Sequence, residues 1–87
     1  MTINEIAKEN YKHAVRRGKI NENSSFLNFI LALDAEIDEL HRSGIKKDFD
    51  PSEAVDVILV SMSLLEHNGF DVEAEIIKKL EFNKVRD

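Results

Sequence analysis

Glu36 and Glu39 stand three residues apart, and so do Glu53 and Asp56. Residues at i and i+3 share a helix face, so each pair sets two carboxylates side by side. Two such faces turned toward each other would bring four oxygen donors to one place. Four carboxylates beside a core repel one another and resist desolvation, and a divalent cation relieves both strains. All-oxygen ligation suits Mg2+, with Mn2+ as a substitute, and does not suit Zn2+. Either pair alone is ordinary. Glu53 reads equally as a capping residue, and Glu39 as part of a solvated face. The two pairs together favour a metal site.

Lys79, Asn83 and Arg86 form a second set, at i, i+4 and i+7 on one helical stripe. Lys supplies a mobile charge, Arg a planar fork for phosphate oxygens, and Asn a donor and acceptor. Cations also suit a helix C-terminus, and Glu75–Lys79 is a plain i, i+4 pair. Beside a metal site the stripe suggests a phosphorylated substrate. The three histidines lack ligand spacing. His41 follows Asp38, which lies on a different face from Glu36, and His13 and His67 have no partners. All three read as structural or surface residues. Met62 reads as core or interface.

These residues need helices to position them. Gly18, Gly44 and Gly69 sit where left-handed C-caps would end helices. Ser24-Ser25, Asp50-Pro51-Ser52-Glu53 and Asp71 are start signals. The punctuation predicts helices over 3–17, 25–43, 51–68 and 72–85, an all-α four-helix module in one domain, 1–87. The second helix carries Phe26, Phe29, Ile30, Leu33, Ile37 and Leu40 on one stripe. The third is apolar nearly all round, and such a helix needs cover all round. This predicts a homo-oligomer, either a dimer or a dimer of dimers.

The short 45–50 connection predicts that the second and third helices are antiparallel. Glu39 and Glu36 then lie roughly 7 and 12 Å from the second helix's end. Glu53 and Asp56 lie roughly 4 and 9 Å from the third helix's start. The pairs should meet within about one turn.

Composition narrows the classes. The chain has 87 residues and a formal charge of −5, from twelve basic and seventeen acidic side chains. An acidic chain is a poor general binder of nucleic-acid polymers. The absence of Cys excludes disulfides, thiolate ligands and thiol nucleophiles. No apolar run is long enough to span a bilayer, and no secretory h-region is visible, so a cytoplasmic protein is expected.

The spacing Glu36-x-x-Glu39, thirteen residues, Glu53-x-x-Asp56 resembles the ExxE…ExxD signature of MazG-like nucleoside triphosphate pyrophosphohydrolases. The tail from Lys79 through Asn83 to Arg86 resembles that family's closing K-x-x-x-N-x-x-R element. The resemblance covers roughly residues 25–87. It implies a Mg2+-dependent, dimeric or tetrameric four-helix module. The implied reaction cleaves a nucleoside triphosphate between the α and β phosphates, releasing a monophosphate and pyrophosphate. It implies that Glu36, Glu39, Glu53 and Asp56 hold the metal, and that Glu36 or Glu39 takes a proton. Lys79, Asn83 and Arg86 are implied to bind the substrate.

The family often has a Glu directly before the first ligand; here that position is Ala35. Many relatives continue past the position of Asp87. Residues 1–24 match no family element. Tyr11, His13, Arg16 and Arg17 are candidates there for nucleotide contact, with surface and packing roles favoured. Two rival readings use the same bundle. One is a non-catalytic helical dimer that holds a cation. The other is an interaction module that docks a protein partner through the third helix.

Overall fold

The computed structural model describes residues 1–45 and 49–86. They form four helices: α1 (Ile3–Arg16), α2 (Phe26–Ile45), α3 (Pro51–His67) and α4 (Val72–Arg86). There is no strand among the described residues. The module is all-α, as the punctuation predicts.

Each start has its cap. Thr2 opens α1 with a reciprocal capping box: its Oγ1 accepts from Glu5 N at 3.1 Å, and Glu5 Oε1 accepts from Thr2 N at 2.9 Å. Ser25 opens α2 in the same way, with Asn28 as the returning partner. At α3, Asp50 accepts from Ser52 N at 2.9 Å, and Pro51 takes the first turn, where its missing N–H is no loss. At α4, Asp71 accepts from Ala74 N at 3.0 Å.

Two of the three predicted glycine stops are observed. Gly18 and Gly69 have φ of +72° and +77°. Each closes a Schellman turn, with Lys19 N reaching Ala14 O and Phe70 N reaching Leu65 O. Gly44 corrects the prediction. It lies inside α2, which runs to Ile45, and its φ is not in the left-handed region. Part of the 45–50 connection, residues 46–48, lies outside the described residues.

The hub is α3. Among the described residues α2 packs against α3 alone, α1 packs against α3 and α4, and α4 touches α1 and α3. The main core joins Ala7, Met62 and Val72, with Ile3, Leu59 and Leu65 around them. Met62 is thus core. Phe29 is buried against the His67 ring, 4.9 Å between centroids.

The α2 stripe is only partly covered. Phe29 is buried, and Ile30, Leu33 and Leu40 are half-buried. Phe26 and Ile37 are exposed, because α3 is the one helix that faces α2. On α3 itself, Val55 and Ile58 are exposed in the half that α1 and α4 leave bare.

Candidate metal centre

Local folding places each carboxylate. The Asp50 cap and Pro51 fix the first turn of α3, where Glu53 N bonds Asp50 O at 3.0 Å. Asp56 follows one turn later on the same face. Glu36 and Glu39 take the matching face of α2, beside half-buried Leu33 and Leu40. The structure brings the four together: one carboxylate oxygen from each lies within 4.8 Å of the others. Glu36, Glu53 and Asp56 are half-buried, and Glu39 is exposed at the rim.

The cluster has no cationic partner among the described residues. Glu36 Oε2 and Glu53 Oε2 are buried with no hydrogen-bond partner. Glu53 therefore does not spend its side chain on the cap, where Asp50 serves alone. Among the described residues no Lys or Arg pairs with any of the four; Arg42 is held by Asp38 at 2.8 Å. Burial, then the charges of Glu39 and Asp56, push Glu36 above the ordinary glutamate range. Burial, then Glu39, Asp56 and Asp50, do the same to Glu53.

Such a group of acceptors is matched by a hard cation. Opposite oxygens around Mg2+ stand about 4.2 Å apart, from ligand distances of about 2.1 Å. Small side-chain adjustments bring a 4.8 Å spread into that range. The two orphaned oxygens supply the lone pairs. The donor set therefore fits Mg2+ or Mn2+.

Lys79, Asn83 and Arg86 are all exposed on α4. Phe82 lies beside the two cations: Lys79 Nζ is 4.6 Å from its ring centroid, and Arg86 Cζ is 5.8 Å away. The ion pair on this helix is Lys84–Glu81, at 3.2 Å, while Lys79 sits over the ring. Within one chain this stripe is not brought to the carboxylates on α2, because α2 and α4 do not touch.

His67 is structural. Its Nε2 faces Ser24 O at 2.8 Å, and a carbonyl only accepts, so Nε2 carries the proton. In the neutral ring Nδ1 then accepts from the Tyr11 hydroxyl at 2.6 Å. Tyr11 is thereby committed to packing. His13, Arg16, Arg17 and His41 are exposed; His13 and Arg16 flank an open groove floored by Leu59.

Three contributors were not singled out from sequence. Phe82 lies three residues after Lys79 and four before Arg86, a spacing that marks a shared face. Asn10 is a lone polar residue on the Ile3–Ala7–Ala14 face; it donates to Leu59 O and Ser63 Oγ at 2.9 and 2.7 Å. Asn4 joins α1 to the start of α4, and no local signal marks it.

No protein-family model, curated protein or solved structure matches the chain. No described helix is long and apolar enough to cross a membrane.

Proposed function

We propose that this chain is a Mg2+-dependent nucleoside triphosphate pyrophosphohydrolase of the MazG-like kind. It hydrolyses an NTP or dNTP between the α and β phosphates to a monophosphate and pyrophosphate. The observation that carries the reading is the convergence of Glu36, Glu39, Glu53 and Asp56, with two buried oxygens unpartnered. Glu66 also buries one unpaired oxygen, but its other oxygen is held by Lys8, whereas the four clustered carboxylates have no cationic partner among the described residues.

In this reading the four carboxylates hold Mg2+, with Mn2+ as a substitute. When bound, the cation supplies positive charge that orients a water and polarises the phosphoryl group. Glu36 or Glu39 accepts the proton of that water as its oxygen bonds the α phosphorus. The bond from that phosphorus to the bridging oxygen breaks, and pyrophosphate leaves with the electron pair. Lys79 and Arg86 bind triphosphate oxygens, and Asn83 binds phosphate or nucleoside.

We also propose a homo-oligomer, a dimer or a dimer of dimers, with α2 and α3 antiparallel in each copy. The chain exposes 6604 Å2, against about 5,200 Å2 for a compact monomer of its mass. Its radius of gyration is 14.3 Å, against about 12 Å for a compact chain of this length. The surplus surface includes Val55 and Ile58 on α3 and Ile77 and Leu80 on α4. A second copy that lays α4 across the α2–α3 face would cover both. It would also bring the basic stripe to Glu36 and Glu39 on α2, which α4 does not touch within one chain.

The test is pyrophosphate release from a panel of ribo- and deoxyribonucleoside triphosphates, with Mg2+ and with EDTA. Mg2+-dependent release of pyrophosphate and a monophosphate is expected. No turnover in folded, oligomeric protein would overturn the reading. It would favour a non-catalytic helical dimer that holds a cation or a protein partner. One observation supports that second reading: the basic stripe on α4 is not brought to Glu36 and Glu39, since α2 and α4 do not touch within a chain.

A further inference from the structure

α4 is a lever held at its foot. Only Val72 is buried, Glu73 and Glu75 are half-buried, and every residue from Ile76 to Arg86 is exposed. Val72 and Arg86 are fourteen residues apart, about 21 Å along the axis. A tilt of about 10° at the foot therefore moves the tip by about 4 Å. Within one chain, what fixes the foot decides where Lys79, Asn83 and Arg86 lie.

Two things fix it. One is apolar: Val72 in the core with Ala7 and Met62. A single apolar anchor leaves a helix free to rotate and tilt about it. The other is a directional polar clip. Asn4 Nδ2 donates to Asp71 Oδ1 at 2.8 Å, and Asn4 Oδ1 accepts from Glu73 N at 2.9 Å. Asp71 Oδ1 also accepts from Ala74 N, so the clip and the cap share one atom. One amide thus grips the helix on either side of Val72. Gly69 turns the chain out of α3 with a left-handed φ.

We infer that Asn4 is a positioning residue that aims α4 and thereby sets the reach of the Lys79–Asn83–Arg86 stripe. The aiming stands on the hydrogen bonds alone; the link to substrate rests on the pyrophosphohydrolase reading.

The absence of Cys makes the test clean. Lys12→Cys on α1 and Lys84→Cys on α4, both exposed, carry spin labels. Dilution with unlabelled chain isolates the distance within one copy. Asn4→Ala should shift or broaden the α1–α4 distance by about 3 Å, the movement of Lys84 for a tilt of about 10°. In the unlabelled protein it should raise KM for the nucleotide about fivefold, with kcat nearly unchanged.

Asn4→Asp keeps the acceptor for Glu73 N but sets a carboxylate against Asp71, so it should displace α4 as well. Adding Asp71→Asn removes the repulsion and offers an amide N–H to the new carboxylate, while its oxygen still caps Ala74 N. Because the two bonds no longer share one atom, the pair should recover distance and KM in part. A parent-like distance in Asn4→Ala overturns the aiming. If Asn4→Ala fails to fold, Asn4→Asp and its rescue decide the same point. A displaced helix with unchanged KM overturns the link to substrate. No turnover in the parent overturns the pyrophosphohydrolase reading, and the distance still decides the aiming.

Discussion

The two halves of α3 differ in how their polar side chains are partnered, although Glu66 near the C-terminus pairs Lys8 through Oε1 and also leaves Oε2 buried without a partner. Toward its C-terminus, Ser63 and His67 have partners for their polar atoms. His67 bonds Tyr11 and the Ser24 carbonyl, and Asn10 reaches both Ser63 and the Leu59 carbonyl. These contacts join α1, α3 and the entry to α2. Toward its N-terminus, Glu53 and Asp56 face Glu36 and Glu39, with two buried oxygens unpartnered. The first arrangement stabilises the fold. The second opposes it, through like charge and lost hydration. Groups that oppose the fold and still converge are the better sign of a ligand.

The sharpest break in this comparison is in activity. Glu39→Gln and Glu53→Gln each remove a proposed ligand charge while keeping side-chain size. Each should lower pyrophosphate release by about a hundredfold or more, the scale of losing one charged group at a reacting centre. Circular dichroism should show an intact helical fold in both. Activity near the parent's in either variant would remove that residue from the site.

His67→Ala tests the other half. It leaves the Tyr11 hydroxyl and Ser24 carbonyl without their partner and opens space beside Phe29. Stability should fall by about 2–3 kcal/mol, read from urea unfolding. The rise in melting temperature on adding Mg2+ should remain. If that rise disappeared, the two halves of α3 would not be separable. Asp56→Asn should do the reverse. It relieves repulsion, so melting in EDTA should rise by about a few degrees, while the response to Mg2+ is lost. An unchanged Mg2+ response would remove the metal assignment.

Much of this was legible in the sequence, for identifiable reasons. Caps and positive-φ glycines act within a few residues, so Asp50, Asp71, Gly18 and Gly69 announced their helix ends. Gly44 misled because a glycine is also tolerated inside a helix, and only neighbouring backbone geometry decides which use it has. The i, i+3 spacing put each carboxylate pair on one face, and matched heights on α2 and α3 predicted that the pairs meet. Spacing within α2 could not show that Phe26 and Ile37 stay exposed, because that depends on which helices pack where. The roles of Asn4 and Asn10 were hidden for the same reason. Their partners lie 49 to 69 residues away, and nothing local to either asparagine encodes such a contact.

The smallest expected effect is the dependence of metal-free stability on pH, and its sign separates the carboxylate cluster from the helix caps. Glu36 and Glu53 are pushed above their ordinary value of 4.5 in the folded chain. A carboxyl with a raised folded value binds its proton more tightly folded than unfolded. Its contribution is therefore fully present below 4.5 and is lost as pH rises through the raised folded values. Asp50 and Asp71 behave oppositely. The N–H groups of Ser52 and Ala74 hold them below their ordinary 3.8, so their contribution is lost as acid protonates them. In EDTA, the melting temperature of the parent should fall as pH rises from the ordinary glutamate range toward neutrality. Glu36→Gln should flatten that fall, and saturating Mg2+ should reverse it, since the cation binds the ionised carboxylates. His67→Ala shifts the whole curve downward but should leave this slope in place. A slope that disappears in His67→Ala and survives in Glu36→Gln would assign the pH response to the His67 network instead of the carboxylates.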